Sequence, residues 1–218
     1  KSLGIFKNIK IDVLDSKNSK NVNLVVSVDE KPTGEISAGV GYGTLGAAIS
    51  FAIKEKNFLG KGIESNISMQ LGSEKVLGII SLSDPDFSDT GNSLKGSFFV
   101  SQYTYDNAGY DNKVIGSSLS KSYRAFKDVN FETGFLADYD TIDVQSGATN
   151  LIKSRDGSYL TTKFFYNVIN DKRNRKFQPT SGYTVGFGQG LATLVSEIPY
   201  VTNTVFGSFY KEFSEDFI

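Results

Sequence analysis

From about Ile36 to Phe213 the chain repeats one pattern about ten times. Each unit is eight to eleven residues alternating apolar with polar, closed by Gly, Asn, Asp, Ser or Pro. Ile63-Glu64-Ser65-Asn66-Ile67-Ser68-Met69-Gln70-Leu71 is one instance, and Val129-Asn130-Phe131-Glu132-Thr133-Gly134-Phe135-Leu136-Ala137-Asp138-Tyr139 is another. Alternation with period two gives a strand one oily and one wet face. A tilted strand of about 9–11 residues is long enough to cross a bilayer. Hydrocarbon admits only helices and closed barrels, because every backbone N–H and C=O must find its partner inside the protein. Val76-Leu77-Gly78-Ile79-Ile80 is about the longest apolar run, far short of the ~18 residues of a membrane helix. The pattern predicts an all-β chain built as a transmembrane antiparallel barrel. A soluble β-sandwich or a lipocalin-like barrel is the other fold the alternation allows.

Composition narrows function more than fold. A net charge of −1 leaves no electrostatic footprint for nucleic acid. The 218 residues contain no Cys and no His. That removes disulfides, the usual zinc ligands and any Ser-His or Cys-His pair. No catalytic residue, metal ligand or cofactor site is assigned, and an enzyme is not expected.

The strand windows fall at 34–43, 46–56, 62–72, 75–83, 93–104, 112–121, 128–139, 158–170, 181–192 and 201–213. Residues 1–31 behave differently. Ile9-Lys10-Ile11-Asp12-Val13 and Val22-Asn23-Leu24-Val25-Val26-Ser27-Val28 flank a polar turn at 15–21, and Lys31-Pro32 breaks any ladder. Two strands alone are not stable, so residues 1–31 read as the end of a small domain and 33–218 as a barrel. Lys1 is not an initiator and no signal pattern precedes the first strand, so the chain reads as an internal piece.

The faces sort into apolar and polar sets. Ile36, Ala38, Val40 and Tyr42 share one side, and Glu35, Ser37, Gly39 and Gly41 the other. Ile49, Phe51, Phe98, Val100, Phe131, Phe135, Phe164 and Val185 are expected to face lipid, while Lys163 and Asn167 face a wet lumen. Tyr42, Phe58, Phe87, Tyr103, Tyr105, Tyr110 and Tyr139 near strand ends are expected to form an interfacial girdle. A long polar loop is predicted from about Asp140 to Gly157.

Three motifs invite other readings. Gly41-Tyr42-Gly43-Thr44-Leu45-Gly46 matches G-x-G-x-x-G, but a dinucleotide site needs a helix after the third Gly, and Ile49, Phe51 and Ile53 alternate instead. Asp84-Pro85-Asp86-Phe87-Ser88-Asp89 lacks the spacing of a calcium loop and reads as a turn. Asp171-Lys172-Arg173-Asn174-Arg175-Lys176, leading to Pro179, reads as a solvated turn rather than an anion site.

In order and spacing these motifs resemble the BamA family of outer-membrane β-barrel assembly factors. Gly4-Ile5-Phe6-Lys7-Asn8-Ile9 and Val28-Asp29-Glu30-Lys31 look like the end of a last POTRA domain. Thr33 to Thr44 is similar to the family's first barrel strand, and Asn57-Phe58-Leu59-Gly60-Lys61-Gly62 to the turn after its second. Asp84–Asp89 with Ser93-Leu94, and Asp171–Gly182, look like later turns. The family's sixth loop with its Arg-Gly-Phe motif, its closing strands and its earlier POTRA domains have no counterpart in these residues. The resemblance implies a sixteen-stranded barrel of which about ten strands are present. It also implies a non-enzymatic insertase in the outer membrane of a Gram-negative cell, with residues 1–31 in the periplasm. The implied partners are outer-membrane lipid, unfolded β-barrel clients and accessory assembly lipoproteins.

The implied working site is a lateral gate, the backbone edge of Glu35, Ile36, Ser37, Ala38, Gly39, Val40, Gly41 and Tyr42. Glycines weaken that strand by roughly 0.5–1 kcal/mol each. Relief of crowding, or a bulge, is the plainer account of them. A related secretion or translocation pore with POTRA domains is the alternative function, and a passive porin a further one. With the first strand running outward, the turns at 57–62, 84–92, 121–128 and 171–181 are expected in the periplasm, and the 140–157 segment outside the cell.

Overall fold

The computed structural model describes residues 5–15, 22–44, 46–176, 178–193 and 195–212. The expected strand end at Phe213, the turn at 16–21 and the sequence ends lie outside them.

Strands β1 (Phe6–Asp15) and β2 (Val22–Glu30) form a two-stranded antiparallel sheet. The ten strands that follow form a second sheet in strict sequence order. They are β3 (Gly34–Gly43), β4 (Gly46–Phe58), β5 (Ile63–Gly72), β6 (Lys75–Asp84), β7 (Ser93–Tyr105), β8 (Tyr110–Phe126), β9 (Val129–Val144), β10 (Gly157–Asp171), β11 (Ser181–Ala192) and β12 (Tyr200–Lys211). Every neighbour pairs antiparallel, so each connection is a hairpin. No helix among the described residues is long and apolar enough to cross a membrane; the strands are. Among the described residues no second sheet packs on the ten strands and no large side chain is fully buried. The soluble sandwich is thereby excluded, since such a fold buries a core between two sheets.

The register gathers a continuous row of apolar residues on one face of the ten strands. Ala38 opposes Phe51 and Phe51 opposes Met69; Ile80 opposes Phe98; Leu119, Phe135, Phe164 and Leu191 follow one another across β8 to β11. All eight residues expected to face lipid lie on this face. The other face carries Lys163, Asn167 and Glu132, with Asn167 Nδ2 donating to Glu132 Oε2 at 3.0 Å, and Ser97 and Ser118 hydroxyls 2.7 Å apart. Exposure tells which face is concave. Gly116, Ser120, Gly134, Thr161, Gly186 and Gly188 are buried and all lie on the polar face, whereas Leu119 is 56% and Phe135 66% exposed on the apolar one. In a curled sheet, side chains converge on the inside and splay on the outside. The polar face therefore lines a lumen and the apolar face is convex, the reverse of a water-soluble barrel.

Three expectations need correction. Strands β8 and β9 pair up to Tyr110 opposite Val144, so the loop expected from 140 contracts to 145–156. That loop also holds one short helix, α1 (Asn150–Lys153), whose N-terminal Ile152 N–H is accepted by the Thr149 hydroxyl. The turn expected at 121–128 contracts to Lys127-Asp128, with Asp128 at φ 65°, a left-handed conformation that Asp tolerates in turns. Tyr103, Tyr105 and Tyr110 stack on the lumen face, 6.0 and 4.7 Å between ring centroids, and so belong to no lipid-facing girdle.

Candidate functional site

Strand β3 is one end of the ten-stranded sheet. It pairs along its whole length with β4, from Gly34 opposite Glu55 to Gly43 opposite Gly46, and among the described residues nothing pairs with its other edge. All eight residues of the expected gate lie on this strand and all are exposed. Ile36, Ala38, Val40 and Tyr42 stand on the convex face, with Val40 86% and Tyr42 89% exposed. Glu35, Ser37, Gly39 and Gly41 stand on the lumen face. An edge with one row of backbone donors and acceptors unpaired is a template for another strand. The edge is also smooth. The β3–β4 register runs without a shift, so the glycines mark no bulge. The G-x-G-x-x-G match resolves here too: Gly41 and Gly43 end β3 and Gly46, at φ 76°, begins β4, with no helix to receive a phosphate.

The near end of β3 is clamped. The Thr33 hydroxyl donates to Glu55 Oε1, which also accepts from Asn57 N–H at 2.7 Å, and Asn57 Oδ1 accepts from Gly62 N–H at 2.7 Å. This chain of bonds runs from the entry of β3 through the β4–β5 turn, so the edge is anchored where the polypeptide enters the wall.

The other near-end turns are built the same way. Asp84 Oδ1 accepts from Asp86 N–H at 3.0 Å and Asp86 Oδ1 from Gly91 N–H at 2.5 Å, so these carboxylates hold backbone amides rather than standing open for calcium. In the β10–β11 turn Arg173 forks onto Asp171, Nε to Oδ1 at 2.8 Å and Nη2 to Oδ2 at 2.7 Å. That hydrogen-bonded fork holds the guanidinium protonated well above its ordinary range. Asn174 Oδ1 accepts from the N–H groups of Thr180 and Ser181. The basic cluster is a built turn.

Sequence reasoning missed the real convex aromatic row. Tyr123, Phe131, Tyr166 and Phe187 sit on four adjacent strands with centroids 5.3, 6.2 and 6.2 Å apart. Each lies within one strand, and only the pairing register aligns them. Tyr166 also donates to Gln189 Oε1 at 3.2 Å, and Gln189 Nε2 donates to Asn203 Oδ1 at 2.8 Å. In the middle of the convex face these polar groups satisfy one another, as hydrocarbon requires.

The model of the Omp85 superfamily domain matches residues 57–218, nearly three-quarters of the chain. The chain belongs to the Omp85 superfamily. Among Omp85-type relatives, the outer membrane protein assembly factor BamA of Neorickettsia risticii is 25% identical over 213 residues, covering 92% of this chain and 27% of its own length. BamA of Nitratidesulfovibrio vulgaris is 24% identical over 179 residues, 81% of this chain and 22% of its own length. The chain therefore spans about a quarter of the curated relatives it matches. The crystal structure of BamA from Haemophilus ducreyi lacking POTRA domains 1–3 superposes with a TM-score of 0.79 at 20% identity, over 99% of this chain and 44% of that one. The resemblance read from the motifs is borne out, and the ten strands are a stretch of an Omp85 barrel wall.

Proposed function

We propose that this chain is the entry and first ten strands of an outer-membrane assembly factor that folds and inserts β-barrel clients without enzymatic chemistry or a cofactor. The observation that carries the reading is the likeness to named outer membrane assembly factors of a wall that is apolar on its outer face and begins at the exposed strand β3, Glu35 to Tyr42. A client strand adding there would gain a ladder of backbone hydrogen bonds before entering lipid, where unpaired groups cost several kcal/mol each. Outer-membrane lipid, unfolded barrel clients and accessory assembly lipoproteins are the partners. The names of the relatives support the first two.

Residues 1–31 are proposed as the last hairpin of a periplasmic POTRA domain, with the barrel from residue 33. In support, Ile9, Ile11 and Val13 pair with Val28, Val26 and Leu24 on one hairpin face, all exposed, a face that needs cover from the rest of a domain. That orientation puts the turns after β4, β6, β8 and β10 in the periplasm and the loop 145–156 outside. Trypsin added to intact cells carrying the full-length protein is expected to cut at Lys153 or Arg155. Cutting at Arg175 while the outer membrane is sealed would reverse the topology.

Disulfide trapping tests the edge itself. A Cys at Ser37 or Gly39 of the full-length protein should bond to a Cys in the terminal strand of a stalled client. Trapping that is equally efficient from Ser97, in the interior of the sheet, would remove the edge as the docking site. A secretion pore would instead yield client protected on the far side of the membrane rather than inserted in it.

A further inference from the structure

The convex face of β8 to β10 has two visible borders. Ile115, Tyr139 and Leu160 lie opposite one another in one row, and the next row toward the Tyr110 end of β8 is polar: Lys113, Thr141 and Ser158. At the other end Phe126 stands opposite Val129. Between these borders the face is an apolar band. Among the described residues of β8 to β10, one charged side chain stands on the convex face inside it. That residue is Lys121, flanked along its strand by Leu119 and Tyr123 and faced across the ladders by Leu94 and Thr133.

Lys121 begins a polar row. Lys121, Thr133, Tyr166, Gln189 and Asn203 lie opposite one another in turn from β8 to β12. The other four are accounted for: the Thr133 hydroxyl donates to the Phe165 carbonyl at 3.3 Å, and Tyr166, Gln189 and Asn203 are hydrogen-bonded in series. Lys121 is exposed and has no hydrogen bond among the described residues, and the ion pairs Lys10–Asp12 and Asp171–Arg173 leave it out. The Tyr123 hydroxyl on the same face also lacks a partner among the described residues, although its ring packs on Phe131 with centroids 5.3 Å apart. Because β8 is paired on both edges, this position does not depend on what flanks the sheet. An ammonium on a face that meets hydrocarbon is costly unless its stem carries it to an anion at the edge of the lipid.

We infer that Lys121 and Tyr123 hold the headgroup phosphate of an anionic phospholipid whose acyl chains lie over Leu119 and Phe135, 56% and 66% exposed on the same face. The lysine supplies the charge and the phenol an O–H donor to a phosphate oxygen. The stem runs toward Phe126, the nearer end of β8, passing Tyr123 on the way. Phosphate is the anion that the setting favours. Phosphates already border the hydrocarbon, whereas a protein carboxylate would have to be carried into it. The inference rests on the lipid-facing wall and gives the lipid partner proposed above a site and a headgroup class. The orientation proposed above puts that site in the periplasmic leaflet.

The test titrates the full-length protein, in non-ionic detergent micelles, with phosphatidylglycerol and counts bound lipid by native mass spectrometry. Lys121→Met keeps the stem and removes the charge, and should weaken the tightest phosphatidylglycerol about fivefold. Tyr123→Phe should weaken it about threefold, and Lys121→Arg should retain it. Lys113→Met, on the same face but outside the band, should leave it unchanged. Methionine suits a lipid-facing position better than an unpaired cation, so folding is not at risk in the decisive variant. Equal affinity in wild type and Lys121→Met would overturn the site. So would an equal loss in Lys113→Met, which would report charge alone rather than this position. If Lys121→Met keeps its phosphatidylglycerol but loses a protein that co-purifies with wild type, the counter-charge is a protein and the inference fails. If wild type and variants alike hold no phospholipid, the lipid-facing reading of the wall falls with it.

Discussion

Phe164→Arg in the full-length protein should lower bilayer folding stability by about 2–4 kcal/mol, while Asn167→Arg should cost little. The two positions lie three residues apart on β10 and on opposite faces. Phe164 is the middle of that strand, opposed by Phe135 and Leu191, with its ring centroid 5.2 Å from that of Phe135. A guanidinium there must be drawn into hydrocarbon or must bend the membrane to reach water. Asn167 already donates to Glu132 on the lumen face, where an arginine would keep both a carboxylate and water. Denaturant titration of both variants in vesicles reads the difference. Equal costs would mean that the faces are assigned wrongly.

Gly134→Val should be nearly as damaging, for a steric reason. Its Cβ would fall 2.5 Å from the Leu119 carbonyl oxygen, 2.6 Å from the Phe165 ring and 2.8 Å from Ser120 Cβ. The ring can swing away, but the carbonyl is held in the sheet, so the β8–β9 ladder must yield. Overpacking of this kind costs roughly 1–3 kcal/mol, and β-branching adds to it here. Gly41→Val meets none of these atoms. It should be neutral or stabilising by up to ~1 kcal/mol, through removal of glycine's extra freedom in the unfolded chain. Unfolding midpoints measured side by side should separate the two variants. A Gly41→Val as harmful as Gly134→Val would mean that Gly41 is needed by its own sheet.

What was legible in the sequence follows from what alternation encodes. Strand windows such as 34–43 and 181–192 agree with the observed ends because one face had to meet an apolar surface along its whole length. The apolar signal fades where β8 and β9 run on beyond Asn112 and Tyr139, yet pairing continues to Tyr110 opposite Val144. Backbone hydrogen bonds, which no side-chain pattern reports, carry that extension. The girdle was misjudged for a related reason. Tyr103 and Tyr139 both lie toward strand ends, but their faces depend on parity within the strand and on register between strands: Tyr103 pairs with Asn112 on the lumen face and Tyr139 with Leu160 on the convex one. The gate residues were named from family resemblance. The alternation shows β3 to be a strand but carries no signal for what meets its outer edge.

The wall itself can be read directly in a bilayer, because these 218 residues contain no Trp. Single tryptophans placed at Phe135 and Leu136 of the full-length protein would point to opposite faces of β9. In vesicles of lipids brominated along their acyl chains, added emission from the Phe135→Trp residue should be strongly quenched and that from Leu136→Trp largely spared. Equal quenching at the two positions, or stronger quenching at 136, would contradict a barrel wall whose apolar face meets lipid.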